Sequence, residues 1–189
     1  SDAQLIGVSG FELYASGTLK LNSASDGVTG LALTPRMNWT LATALANDPD
    51  GLLTDLDILA AVALQVTGSA AIDIGNGALV ATVTGVELNL ATMDVTDGTT
   101  TLTGADILSF TGTASLFAGV GGSLNGAHTA VNNGTIGFAV NSVTLSLVSA
   151  TGALTDGANA GDSYVGVSVA LSDAQLIGVS GFELYASGT

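Results

Sequence analysis

The feature that most constrains this chain is a letter-for-letter internal repeat. Ser1 to Thr18 reads SDAQLIGVSGFELYASGT, and Ser172 to Thr189 reads the same eighteen residues again. The two starting points lie 171 residues apart (172 minus 1), so the 189 residues hold one full period, 1–171, and the opening of the next, 172–189. The chain therefore reads as a window on an array whose expected partners are adjacent identical copies. The alternative is a self-contained domain with duplicated terminal strands.

A shorter rhythm runs inside the long one. A small residue and Gly followed by an apolar-x-apolar pattern recurs at Ser9, Thr29, Asp50, Thr67, Thr84, Thr103, Gly121, Asn141 and Ala160, and again at Ser180 in the next copy. Nine marks in 171 residues give a mean unit of 19 (171 divided by 9). A coarser echo matches Val86, Leu88 and Leu90 to Val143, Leu145 and Leu147 at a shift of 57, three such units.

Segments such as VELNL, VTLSL and VGVSVAL alternate with period two, and Gly interrupts nearly every helical window, so the sequence predicts strands. Asp26-Gly27, Asp50-Gly51, Asn76-Gly77, Asp97-Gly98, Asn125-Gly126, Asn133-Gly134 and Asp156-Gly157 are dipeptides suited to tight turns. One short helix is expected at Trp39 to Ala46 or at Leu52 to Leu64, where Leu and Ala dominate. Nineteen residues suit one coil of a stacked structure. The expected fold is all-β, a parallel β-solenoid of nine coils of about 19 residues per period, advancing on the order of 43 Å per copy. Tandem β-sandwich domains are the competing architecture.

Composition narrows the function classes. Lys20 and Arg36 are the only Lys or Arg against 16 acidic residues, a net charge of -14, so binding to nucleic-acid phosphates is excluded. There is no Cys for disulfides, and no apolar run reaches the ~18 residues of a membrane helix. The nearest, Ile58 to Leu64, is bounded by Asp57 and Gln65. The first residues, Ser-Asp, lack a basic or apolar leader, so an export signal is expected to lie outside this segment.

Segments such as LIGVSGFELYASGTLKLNSASDG (from Leu5) and VTLSLVSATGALTDGANAGD (from Val143) resemble the tandem-repeat regions of giant bacterial exoproteins, namely large adhesins and calcium-dependent surface proteins. The resemblance covers the whole chain and implies an exported rod at the cell surface that binds calcium. The GGxGxDxUx nonapeptide of repeat-in-toxin proteins is absent from the sequence. With identical ends, the expected role is a structural repeat of an extracellular filament, fibre or stalk that extends by stacking of copies. The alternative is an adhesin rod whose irregular stretch, Thr34 to Asp57, contacts surface ligands.

Asp outnumbers Glu 13 to 3 and gathers near turns: Asp48, Asp50, Asp55 and Asp57; Asp97 and Asp106; Asp156 and Asp162. Calcium takes six to eight hard oxygens, which such clusters supply, so these eight are the candidate metal ligands. The competing role is turn formation and solubility through mutual repulsion. No enzyme is expected: His128 is the only His and sits in a Gly- and Asn-rich stretch that reads as a solvated loop.

Overall fold

In a computed structural model, which describes residues 2–4, 10–178 and 185–189, the chain is all-β and its strands are antiparallel. The strands are β1 (Asp2–Gln4), β2 (Phe11–Leu21), β3 (Val62–Ile74), β4 (Leu79–Thr96), β5 (Thr101–Val120), β6 (Ser123–Leu124), β7 (Val131–Asn132), β8 (Ile136–Thr151), β9 (Ser163–Ile177) and β10 (Tyr185–Gly188). Eight of them form one sheet in the order β1-β2-β3-β4-β5-β8-β9-β10, a meander in which chain neighbours are sheet neighbours. β6 and β7 pair with each other as a separate small hairpin.

The parallel solenoid is thereby corrected, and so is the two-sheet sandwich within one period. Period-two alternation is common to parallel and antiparallel strands, so it does not distinguish them. The turns do. Gly75 to Ala78 joins β3 to β4, and Asp97 to Thr100 joins β4 to β5; connections this short make hairpins, whereas a parallel pair needs a crossover of a dozen residues or more. The 19-residue marks fall on several kinds of place instead of on successive coils. Gly85 and Gly104, for example, occupy irregularities in the β4–β5 register, and Gly161 lies in the turn before β9. At Gly85 the backbone takes φ +59, which a glycine accommodates without strain where β4 gains residues relative to its neighbour.

The helical expectation is met only at Trp39–Ala42, a four-residue α1 whose N-cap Asn38 accepts from the Leu41 amide at 3.2 Å. Leu52 to Leu64 contains no helix and runs into β3. The connection from β2 to β3 is pinned to the sheet end by Asn22, which is 2% exposed. Its Nδ2 donates to the Met37 and Leu59 carbonyls, and its Oδ1 accepts from Trp39 Nε1 at 3.1 Å.

Residues directly opposite in a ladder share a face, so the registers sort the side chains. One row runs Leu19, Val66, Leu88, Phe110, Leu147, Val167 from strand to strand, and the next runs Leu21, Leu64, Leu90, Leu108. On the same side, toward the other end, stand Leu13, Ile72, Ala81, Leu116 and Val140. The opposite side is polar in its middle. There Thr18 and Thr67 hydroxyls lie 2.6 Å apart, Gln65 donates to Asn89 at 2.9 Å, and Thr113 and Thr144 lie 2.9 Å apart. The sheet is a single amphipathic layer.

Burial is concentrated on the polar side. Val80, Phe117 and Ala139 are fully buried there, directly opposite one another in β4, β5 and β8. The segment carrying β6 and β7 folds toward them: the Gly122 amide donates to the Gly77 carbonyl at 3.1 Å, and a Cβ on Gly119, Gly122 or Gly137 would strike the Phe117 ring. At the other end, Leu102, Ala105 and Ala150 form a second small core with Ile107. Replacing Phe117 with Ala should cost roughly 3 to 5 kcal/mol of unfolding free energy in chemical denaturation. A loss below about 1 kcal/mol would mean that the flap does not close this core.

Candidate functional site

The candidate calcium ligands are dispersed. Asp48 is buried and turns its carboxylate inward onto its own loop, accepting from the Leu52 amide at 3.2 Å and the Leu53 amide at 2.7 Å. Asp57 pairs with Lys20 at 2.9 Å, which draws its carboxyl below the usual range. Asp50 and Asp55 are exposed. Asp97 accepts from the Thr100 and Thr99 amides at 2.7 and 2.8 Å, and these two bonds lower its pKa. Asp106, within β5 opposite Thr92 of β4, accepts from Thr92 Oγ1 at 3.3 Å. Asp156 accepts from the Thr103 amide at 3.0 Å, tying the β8–β9 connection to β5, and Asp162 gives its backbone carbonyl to Gly152.

Among the described residues, no three His, Cys, Asp or Glu side chains gather where they could hold a metal ion. The hydrogen bonds instead show carboxylates closing turns. Two carboxylates outside the candidate metal set do the same: Asp26 accepts from Val28 and Thr29, which lowers its pKa, and Asp73 accepts from the Gly77 amide at 2.7 Å. The Asp-Gly dipeptide at Asp26 and the β-turn spacing at Asp73 are the signals that mark them.

Two measurements test this assignment. If the carboxylates are turn caps, millimolar calcium and chelator should give the same melting temperature, and a rise of several degrees with calcium would restore the ligand reading. For pH, Asp97, Asp26 and Asp57 have folded pKa values below the unfolded value of about 3.9. Their stabilisation is complete above that value and is lost as pH falls through the folded values. The melting temperature should therefore drop from about pH 4 downward, and Asp97→Asn should flatten part of that drop.

His128 departs from the expected solvated loop. It has φ +55, and its ring stacks on Tyr14 with centroids 3.5 Å apart and planes 9° from parallel. The stack anchors the β6–β7 flap to β2 across a cavity of about 80 Å³ lined also by Ser16, Ser69 and Ala71. Tyr14 Oη donates to Glu12 at 3.0 Å. Lys20 and Arg36 lie apart from this cavity, Arg36 donating to the Ala61 carbonyl and Thr92 Oγ1 at 3.4 Å.

The two sheet edges are the most distinctive surfaces. β1 pairs with β2 through Ala3 opposite Ala15 and Gln4 opposite Tyr14. β9 pairs with β10 through Ala174 opposite Ala186 and Gln175 opposite Tyr185. A shift of 171 residues maps the first pairing onto the second. The repeated segment thus forms the same ladder at both ends of the sheet, once as its first pair and once as its last. Ser172 lies inside β9, so the period boundary falls within a strand and not in a linker. Beyond these short pairings the outer strands are open: Leu19 is 69% exposed and Val167 60%. No protein-family model, curated protein or solved structure that was compared matches this chain.

Proposed function

We propose that this chain is a structural repeat of an extracellular filament, fibre or stalk, in which tandem copies continue one antiparallel sheet from period to period. The observation that carries this reading is the pairing shared by the two edges, Ala3 with Ala15 and Gln4 with Tyr14 at one, Ala174 with Ala186 and Gln175 with Tyr185 at the other. β10 is the start of the next copy's β2, seated against β9. In the outermost pair Gly188 lies opposite Leu171, and Gly188 corresponds to Gly17 of a following copy. Continued antiparallel from there, the following copy's Leu19 meets Val169, its Lys20 meets Ser168 and its Leu21 meets Val167. Apolar meets apolar, and the faces stay in phase.

Each period then adds six long strands, β2, β3, β4, β5, β8 and β9. At a strand spacing of about 4.8 Å, growth is lateral and advances about 29 Å per copy, in place of the 43 Å of stacked coils. An edge that pairs with its own successor also disposes of the exposed N–H and C=O groups that otherwise invite uncontrolled association. The resemblance to repeat regions of giant bacterial exoproteins supports a place outside the cell.

The test compares this chain with one carrying a second full period by amide hydrogen exchange. The amides of β9 between Tyr164 and Ala170 that point to the open edge should slow at least tenfold in the longer chain. Unchanged exchange would mean that neighbouring copies are separate bodies, and the lateral array would be abandoned.

A further inference from the structure

Among the described residues the apolar side of the sheet is bare except at one end, where Arg36 of the β2–β3 connection reaches Thr92 beside Leu90 and Leu108. Its central rows contain no charged residue, Asp106 standing one row beyond them opposite Thr92 and Thr151, while the buried core lies chiefly on the polar side or at the sheet ends. Val140 and Ala174 are buried on the apolar side at the bulge shared by β8 and β9, and Gly112 is buried between its neighbours in β5. Val165, Val167 and Val169 of β9 are 66, 60 and 50% exposed. A layer with one apolar face is stable in water only when that face is buried against another element.

We infer that this face packs against the same face of a second copy of the repeat, making the assembly a two-layered sandwich of identical sheets. Three observations select this occupant. The first rests on the lateral array: if each period presents the same rows, the bare surface is a continuous band, and an occupant must share its period, as a second array does. The second is size. Six strands at about 4.8 Å by roughly twelve residues at about 3.4 Å give a face on the order of 1,200 Å², above the ~800 Å² per partner of a stable interface. The third is charge. With the central rows uncharged and Asp106 confined to one end of this side, the apolar sides are where two copies of net charge -14 meet with least repulsion. The same charge, with only Lys20 and Arg36 to oppose it, disfavours an anionic lipid surface.

The contact is tested on the 189-residue chain by sedimentation equilibrium and by cross-linking. Because the sequence lacks Cys, single cysteines report position cleanly. Val66→Cys, Leu88→Cys and Leu145→Cys should be joined between copies by a bismaleimide spanning about 10 Å, the spacing of packed sheets, whereas Thr67→Cys and Ser146→Cys should not. Leu88→Glu with Leu145→Glu should weaken association at least tenfold, with circular dichroism confirming retained strand content, and Thr111→Glu should leave it unchanged. A monomer at all concentrations would overturn the proposal. Association lost on Val169→Pro but insensitive to the face variants would also overturn it and leave the edge-paired array standing. Binding of the monomer to phosphatidylcholine vesicles would replace the second copy with lipid.

Discussion

The rest of this structure depends on backbone pairing between antiparallel neighbours. Each long strand from β3 to β8 is flanked on both sides, so its amides and carbonyls are satisfied within the layer, and only the outermost strands retain open groups. The short turns follow from this arrangement, and so does the use of Asp there, because a carboxylate that accepts two amides holds a reversal of the chain without help from a core. A protein with little buried apolar volume relies on such local devices. Its two small cores lie at opposite ends of the sheet, under the flap around Phe117 and beside Leu102, and a ladder of Ser, Thr, Gln and Asn joins them.

The amphipathic layer also accounts for the division of labour between the faces. The polar side receives the β6–β7 flap, locked by the His128–Tyr14 stack, and the β8–β9 connection, tied down through Asp156. The apolar side receives almost none. Leu, Val and Ile alternate there with residues that bond across the strands on the other side, so one sequence pattern serves a hydrogen-bonded surface and an apolar one at once.

Much of this was legible in the sequence. Alternation in VELNL and VTLSL marked β4 and β8, and the 57-residue echo between them corresponds to one strand down and one strand up, since β4 and β8 both flank β5. The direction of pairing was also present, in Asn76-Gly77 and Asp97-Gly98, but the recurring glycines suggested a smaller unit than the hairpin. The glycines are alike in sequence and different in physics: Gly85 relieves a bulge, whereas Gly122 makes room for a phenyl ring. The stack of His128 on Tyr14 joins residues 114 positions apart (128 minus 14), a separation at which no local pattern carries information. The candidate metal ligands were drawn together by nearness in sequence: four share the β2–β3 connection, Asp106 lies in β5, and Asp97, Asp156 and Asp162 lie in the connections that follow β4 and β8.

The position of Ser172 within β9 has an outcome for how such an array changes in length. Because the join between copies lies in the middle of a strand and the flanking letters are the same in each copy, deleting or duplicating one whole period leaves the strand on either side of the cut unaltered. In the tandem array proposed above, a gene carrying many copies would therefore be free to shrink or lengthen by recombination, and the folded product would record no scar, only a different reach.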